Sequence, residues 1–202
     1  MHAFALFDDA PLCIGQELMR HAAALKALRM INLYGSTPLH MCAATRSISI
    51  QRIQLLGRTD STMAEDHLHR TPLHIAIQNE NVSVEVVRAL IELNPLSCEV
   101  ESDGGYLPIH LAVHSKAKVD VLKELHRAHP PGIEQENILG DTPLHRAVSN
   151  APFDVIEFLL KEYSGAVYKQ NQLGDLPLHC AVSNTTNKEI IQKLVQVSDN
   201  FS

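Results

Sequence analysis

The sequence predicts an all-α repeat solenoid, and three observations carry that reading. The tetrapeptide TPLH stands at Thr37–His40, Thr71–His74 and Thr142–His145, with relatives LPIH at Leu107–His110 and LPLH at Leu176–His179. The five histidines are separated by 34, 36, 35 and 34 residues. Two positions after each stands a small residue: Cys42, Ala76, Ala112, Ala147 and Ala181. One interval held along a chain marks stacked supersecondary units. A catalytic constellation instead gathers different residue types at irregular spacing.

Each unit opens with a turn. Gly35, Gly105, Gly140 and Gly174 are free to take positive φ, and three residues before them stand Asn32, Ser102, Asn137 and Asn171. These side chains favour local bonds to the backbone. The second unit has Asp66 in place but His69 where the glycine belongs, so that turn is expected to carry strain or to change shape.

A first helix follows. Thr37, Thr71 and Thr142 supply hydroxyls that suit an N-cap. Pro38, Pro72, Pro108, Pro143 and Pro177 suit the first helical position, where a missing N–H costs nothing. Leu107 and Leu176 lack the hydroxyl, so their helix starts are expected to be weaker. A second apolar helix comes next, from Val84, Val119, Phe153 and Lys188, with a poorer one from Ser49. In the fourth unit Val155, Ile156, Leu159 and Leu160 form an inward stripe at helical spacing.

With these residues in view, the chain resembles the ankyrin-repeat family, over roughly residues 13 to 198. Five motifs in phase carry the resemblance. The expected organisation is an N-terminal cap or partial repeat over 1–31, five repeats over 32–198 (about 32–65, 66–101, 102–136, 137–170 and 171–198) and a tail over 199–202. The intervals exceed the family's common 33-residue period, and the extra residues are expected between the paired helices, as in AIQNENVSVEVV from Ala76. The resemblance implies a helix, a tight turn, a second helix and a hairpin-like finger in each unit, stacked into an elongated array. It also makes Thr37, His40, Thr71, His74, His110, Thr142, His145 and His179 scaffold elements, each histidine ring bonding the Thr hydroxyl and backbone of the adjoining turn.

The resemblance further implies a non-catalytic protein–protein interaction module, with contacts at finger tips and on the exposed face of each first helix. The residues just before the turn glycine or its substitute are Tyr34, Leu68, Gly104, Leu139 and Leu173, four of them apolar. Either they form a ridge for a partner, or each tip packs on its neighbour. Just after the turn stand Ser36, Arg70, Tyr106, Asp141 and Asp175. Tyr106 offers large contact area at low entropy cost. On the first helices Met41, Gln78, His114, Arg146 and Ser149 are further candidates.

Composition narrows the alternatives. The chain has 202 residues, 45% hydrophobic and 20% charged, with a formal net charge of -6. That supports an ordered core and, without a basic cluster, argues against nucleic acid. Cys13, Cys42, Cys98 and Cys180 are scattered without metal-ligand spacing. No apolar stretch is long enough to cross a bilayer, so a cytoplasmic chain, with the nucleus also open to it, is expected. No phosphate-cradling loop, HExxH or GxSxG appears. No cofactor is implied, and the partner is an unidentified protein bound by a monomer. Two other readings stand: a regulatory or targeting fragment of a larger protein whose catalytic or membrane domain lies elsewhere, and an enzyme or metal protein using the His67–His69 turn or the pair His126 and His129. An end-of-helix interaction is the plainer expectation for that pair.

Overall fold

The computed structural model describes residues 26, 28–45, 48–57, 60–79, 82–184 and 187–199. Most of the segment expected as an N-terminal cap falls outside them, as do Cys13 and residues 200–202. The chain forms two compact units, Met1–Asp103 and Gly104–Ser202.

The first unit contains α1 (Pro38–Ala43), α2 (Ile50–Leu56), α3 (Pro72–Ile77) and α4 (Val84–Leu93). Within it α1 packs on α3 and α2 on α4, while each first helix also packs on its own second helix. The second unit contains α5 (Pro108–His114), α6 (Val119–Ala128), α7 (Pro143–Asn150), α8 (Phe153–Glu162), α9 (Pro177–Asn184) and α10 (Lys188–Asp199). There α7 sits between α5 and α9, and α8 between α6 and α10. Both units are therefore stacked helix–turn–helix pairs.

The stacking follows from the residues. The small column is closed: Cys42 is 1% exposed, and Ala76, Ala112, Ala147 and Ala181 are 0%. Backbones approach closely there because no side chain keeps them apart. Larger apolar residues fill the rest of each core, among them Leu39, Ile53, Leu73 and Ile77 in the first unit. Leu122, Leu125, Leu144, Ile156 and Leu159 do so in the second. Each such burial stabilises by about 1.5–3 kcal/mol relative to exposure. The stripe of Val155, Ile156, Leu159 and Leu160 lies inward on α8.

The variation in repeat length lies where the two helices join. Pro72 to Val84, Pro108 to Val119 and Pro143 to Phe153 are steps of 12, 11 and 10 residues. From each of those second helices to the next Pro, at Pro108, Pro143 and Pro177, the step is 24 every time. The constant part includes short 3-10 turns at Pro95–Cys98, Pro130–Ile133 and Ser164–Tyr168, which the hydrophobic pattern does not reveal. Asn94 helps to set the first of them, its Oδ1 accepting from the Leu96 N–H at 3.1 Å.

The helices at Leu107 and Leu176 differ from expectation. Both start without a hydroxyl, yet their backbone N–H groups donate to Nδ1 of His110 (3.3 Å) and His179 (2.9 Å). The motif histidine satisfies that backbone N–H even where threonine is lost. Nor do His126 and His129 act as a helix-end pair. His126 Nε2 lies 3.7 Å from Glu162 on α8 and its ring meets Phe158 edge-on, while His129 Nε2 is 3.3 Å from the Gln135 side chain.

Candidate functional site

The fingers are small backbone frames organised by one side chain. Asn32 Oδ1 accepts from the N–H groups of Tyr34 and Ser36 at 2.9 and 3.0 Å. Asp66 does the same for Leu68 and Arg70, Asn137 for Leu139 and Asp141, and Asn171 for Leu173 and Asp175. The polar residue three before the turn glycine thus pins both flanks of the tip. At the turn itself Gly35, Gly140 and Gly174 have φ of 77°, 75° and 80°. His69 shares the conformation at φ 54°, so the second finger keeps the shape and carries the strain of a side chain in the left-handed region.

Histidine joins each finger to the helix before it. Thr37 and Thr71 in the first unit, and Thr142 in the second, direct both backbone N–H and hydroxyl at Nδ1 of the following motif histidine, at 2.8–3.2 Å. Because Nδ1 accepts a backbone N–H, the ring proton sits on Nε2. That nitrogen donates to the Arg70 carbonyl from His40 (2.8 Å) and to the Asp175 carbonyl from His145 (3.1 Å). His110 reaches Gln135 instead, at 3.2 Å. Burial pushes the His110 imidazole down to about 4. Burial lowers His40 too, against the pull of its Arg70 bond. His179 stands apart from the other four in being exposed.

Fingers are braced by backbone, one bond at a time. In the first unit the His67 N–H donates to the Tyr34 carbonyl at 3.1 Å and the Asp103 N–H to Leu68 at 3.0 Å. In the second, Ile138 donates to Gly104 and Gln172 to Leu139, both at 3.0 Å. The tip side chains point away from this ladder into solvent. Tyr34 is 75% exposed and Leu68 48% in the first unit; Leu139 is 50% and Leu173 85% in the second. Leu33 (93%) and Ile138 (63%) flank them, and the tip-position reading overlooks both. An alternating apolar-polar scan misses these residues because tips have no strand or helix period.

The other sequence candidates separate into two groups. Arg70 is committed within its own finger: Nη2 and Nε lie 2.7 and 2.9 Å from Asp66 Oδ2, and Nη1 reaches Gln78 at 3.2 Å. Burial would raise the Asp66 carboxyl, but the Arg70 guanidinium and two backbone N–H groups outweigh it and hold it low. In the second unit Tyr106, Asp141 and Arg146 come together. The Arg146 guanidinium lies 5.9 Å from the Tyr106 ring centroid, within cation–π range. Its Nη1 is 3.8 Å from Asp141 Oδ2, and its Nη2 is 3.4 Å from His114 Nδ1. Asp141 is buried and accepts from Asn171 Nδ2 at 3.0 Å. Asp175 is half-buried at the next finger. Spacing alone does not reveal Asn171 as the residue that fixes Asp141.

A groove of about 570 Å³ on the second-helix side of this unit is lined by Val119, Lys123, Phe158, Lys161 and Lys193, among others. Its lysines face acids: Lys123 meets Asp120 at 3.1 Å, Lys193 meets Glu157 at 3.6 Å and Lys161 meets Glu162 at 3.9 Å. Among the described residues no cluster of three or more His, Cys, Asp or Glu side chains is arranged to hold a metal ion. No described helix is long and apolar enough to cross a membrane. The Cys98 thiol, pushed up to about 12 by burial, is a poor nucleophile. Compared with known families, the chain matches the model described as Ankyrin repeats (3 copies) over residues 52–129 and 109–201.

Proposed function

Since this chain belongs to the ankyrin-repeat family, whose general role is that of a protein-interaction scaffold, we propose that it binds its protein partner through finger tips held in place before the partner arrives. The observation that supports this is the split between backbone and side chain at the tips. Neighbouring fingers are tied by backbone bonds at 3.0–3.1 Å, while Tyr34, Leu68, Leu139 and Leu173 remain half-exposed or more. Apolar side chains in water on ordered backbone offer burial to a partner without the cost of ordering a loop. The mechanism is rigid display: the partner gains apolar contact, and the scaffold reorganises little.

In the second unit Arg146 adds a polar contact beside the tips. It is 30% exposed and held by Tyr106, His114 and Asp141, so its remaining donors face a partner in a fixed orientation. Reading Arg70 as a contact fares less well, because its guanidinium is already engaged with Asp66 and Gln78.

The test is a quantitative affinity capture from source-cell lysate with three folded baits: the parent chain, Y34S/L68S and L139S/L173S. Partners held by the parent and lost by either variant would support the tips of that unit as the contact. Equal retention by all three would reject the tips and direct attention to Arg146 and the first-helix face.

A further inference from the structure

His69 occupies the turn position that four other fingers give to glycine, and the structure gives its ring two acidic neighbours on different fingers. Its Nδ1 lies 2.8 Å from Glu65 Oε2, just ahead of its own finger. Its Nε2 lies 4.0 Å from Asp103 Oδ1, on the next finger of the same unit. These two fingers are already joined by the Asp103 N–H to Leu68 carbonyl bond at 3.0 Å. We propose that His69 is a proton-dependent clasp that ties the Leu68 finger to the finger beginning at Asp103.

In the neutral ring the Nδ1 proton donates to Glu65, and the Nε2 lone pair is turned toward the Asp103 carboxylate. That second contact is then repulsive. Protonation places an N–H at Nε2 and converts it into an attraction, so the ring spans both acids. The surrounding charges favour the proton. Glu65, Asp66 and Asp103 all face the ring, and Arg70 is committed to Asp66. His67, two residues away, completes the ionisable groups of the turn. The bond to Glu65 first, and then the two aspartates, raise the His69 imidazole above its ordinary value.

The sign follows. A histidine whose folded pKa is raised contributes its stability below its unfolded pKa of about 6.5 and loses it as pH rises through the folded value. Below that window the Leu68 tip is held by two links to the next finger, and above it by one. In the second unit the comparable side-chain link is an amide-to-carboxylate bond, from Asn171 to Asp141 at 3.0 Å.

Two measurements on the full chain test the clasp. One is the NMR titration of the His69 ring in the parent and in Asp103→Asn. The other is the thermal midpoint of the parent against His69→Asn, a residue that tolerates positive φ, at about pH 6 and about pH 8.5. The clasp requires the His69 titration to move to lower pH in D103N. It also requires the parent's advantage over H69N to be larger at the lower pH and to shrink when D103N is present. A titration unmoved by D103N, or a parent-to-H69N difference that is the same at both pH values, overturns it.

Discussion

Gly140 and Gly174 separate two reasons for a glycine. Both lie in the left-handed region, at φ 75° and 80°. A Cβ on Gly140 would meet the Gln172 backbone nitrogen at 2.8 Å, whereas one on Gly174 would meet nothing within 4 Å. Gly174→Ala should therefore cost about 1 kcal/mol, the conformational strain alone, and Gly140→Ala at least about 1 kcal/mol more. Chemical denaturation of the two variants checks this; equal losses would mean that the next finger does not press on the turn. The motif histidines make a second prediction. His110 stays neutral down to about 4 because it is buried, while an unfolded histidine protonates near 6.5. As pH falls between those values the unfolded state takes up a proton that the folded state refuses. Stability should drop by roughly 3 kcal/mol from His110 alone, with His40 adding in the same direction. Urea unfolding across that range reads it, and a flat profile would contradict the buried neutral ring. The turn glycines and the Asn or Asp three residues earlier were legible in the sequence, because each answers a local backbone demand. The cap at Leu107 and Leu176 was not. It depends on a ring nitrogen replacing a hydroxyl, and residue type at the cap position does not show that.

Among the helices, the small column is the feature on which stacking depends. Ala147 is fully buried where α7 lies between α5 and α9. Ala147→Leu should destabilise by about 1–3 kcal/mol through overpacking, measured by the urea midpoint; an unchanged midpoint would mean the contact has room. Helix starts and the apolar faces of α4, α6 and α8 were readable because Pro, cap and period coincide at each. The 3-10 turns were hidden. They are three to five residues long in this chain, shorter than the window over which periodicity speaks. The 24-residue constancy from second helix to next Pro shows where length is tolerated: in the connection between paired helices, not between a second helix and the following finger. That finger must arrive in register to receive the histidine and the backbone ladder.

Across the molecule, each unit presents apolar tips on braced backbone, and the family places such a surface in protein recognition. Tip residues could be named from the sequence, since they sit at a fixed offset from the turn. Whether they brace or project could not, because both outcomes use the same residues. Coordinates divide the roles: backbone braces, side chains project. The Tyr106, Arg146 and Asp141 grouping was half legible; each was a candidate by position, while their convergence depends on how far apart the stacked units lie. The central claim is that the fingers are ordered before any partner binds, and amide hydrogen exchange of the free protein tests it most directly. The N–H groups of His67, Asp103, Ile138 and Gln172 should exchange markedly more slowly than unstructured amides, because each donates to the preceding tip. Exchange at the unstructured rate at these four positions would show that the fingers are not pre-formed and would contradict rigid display.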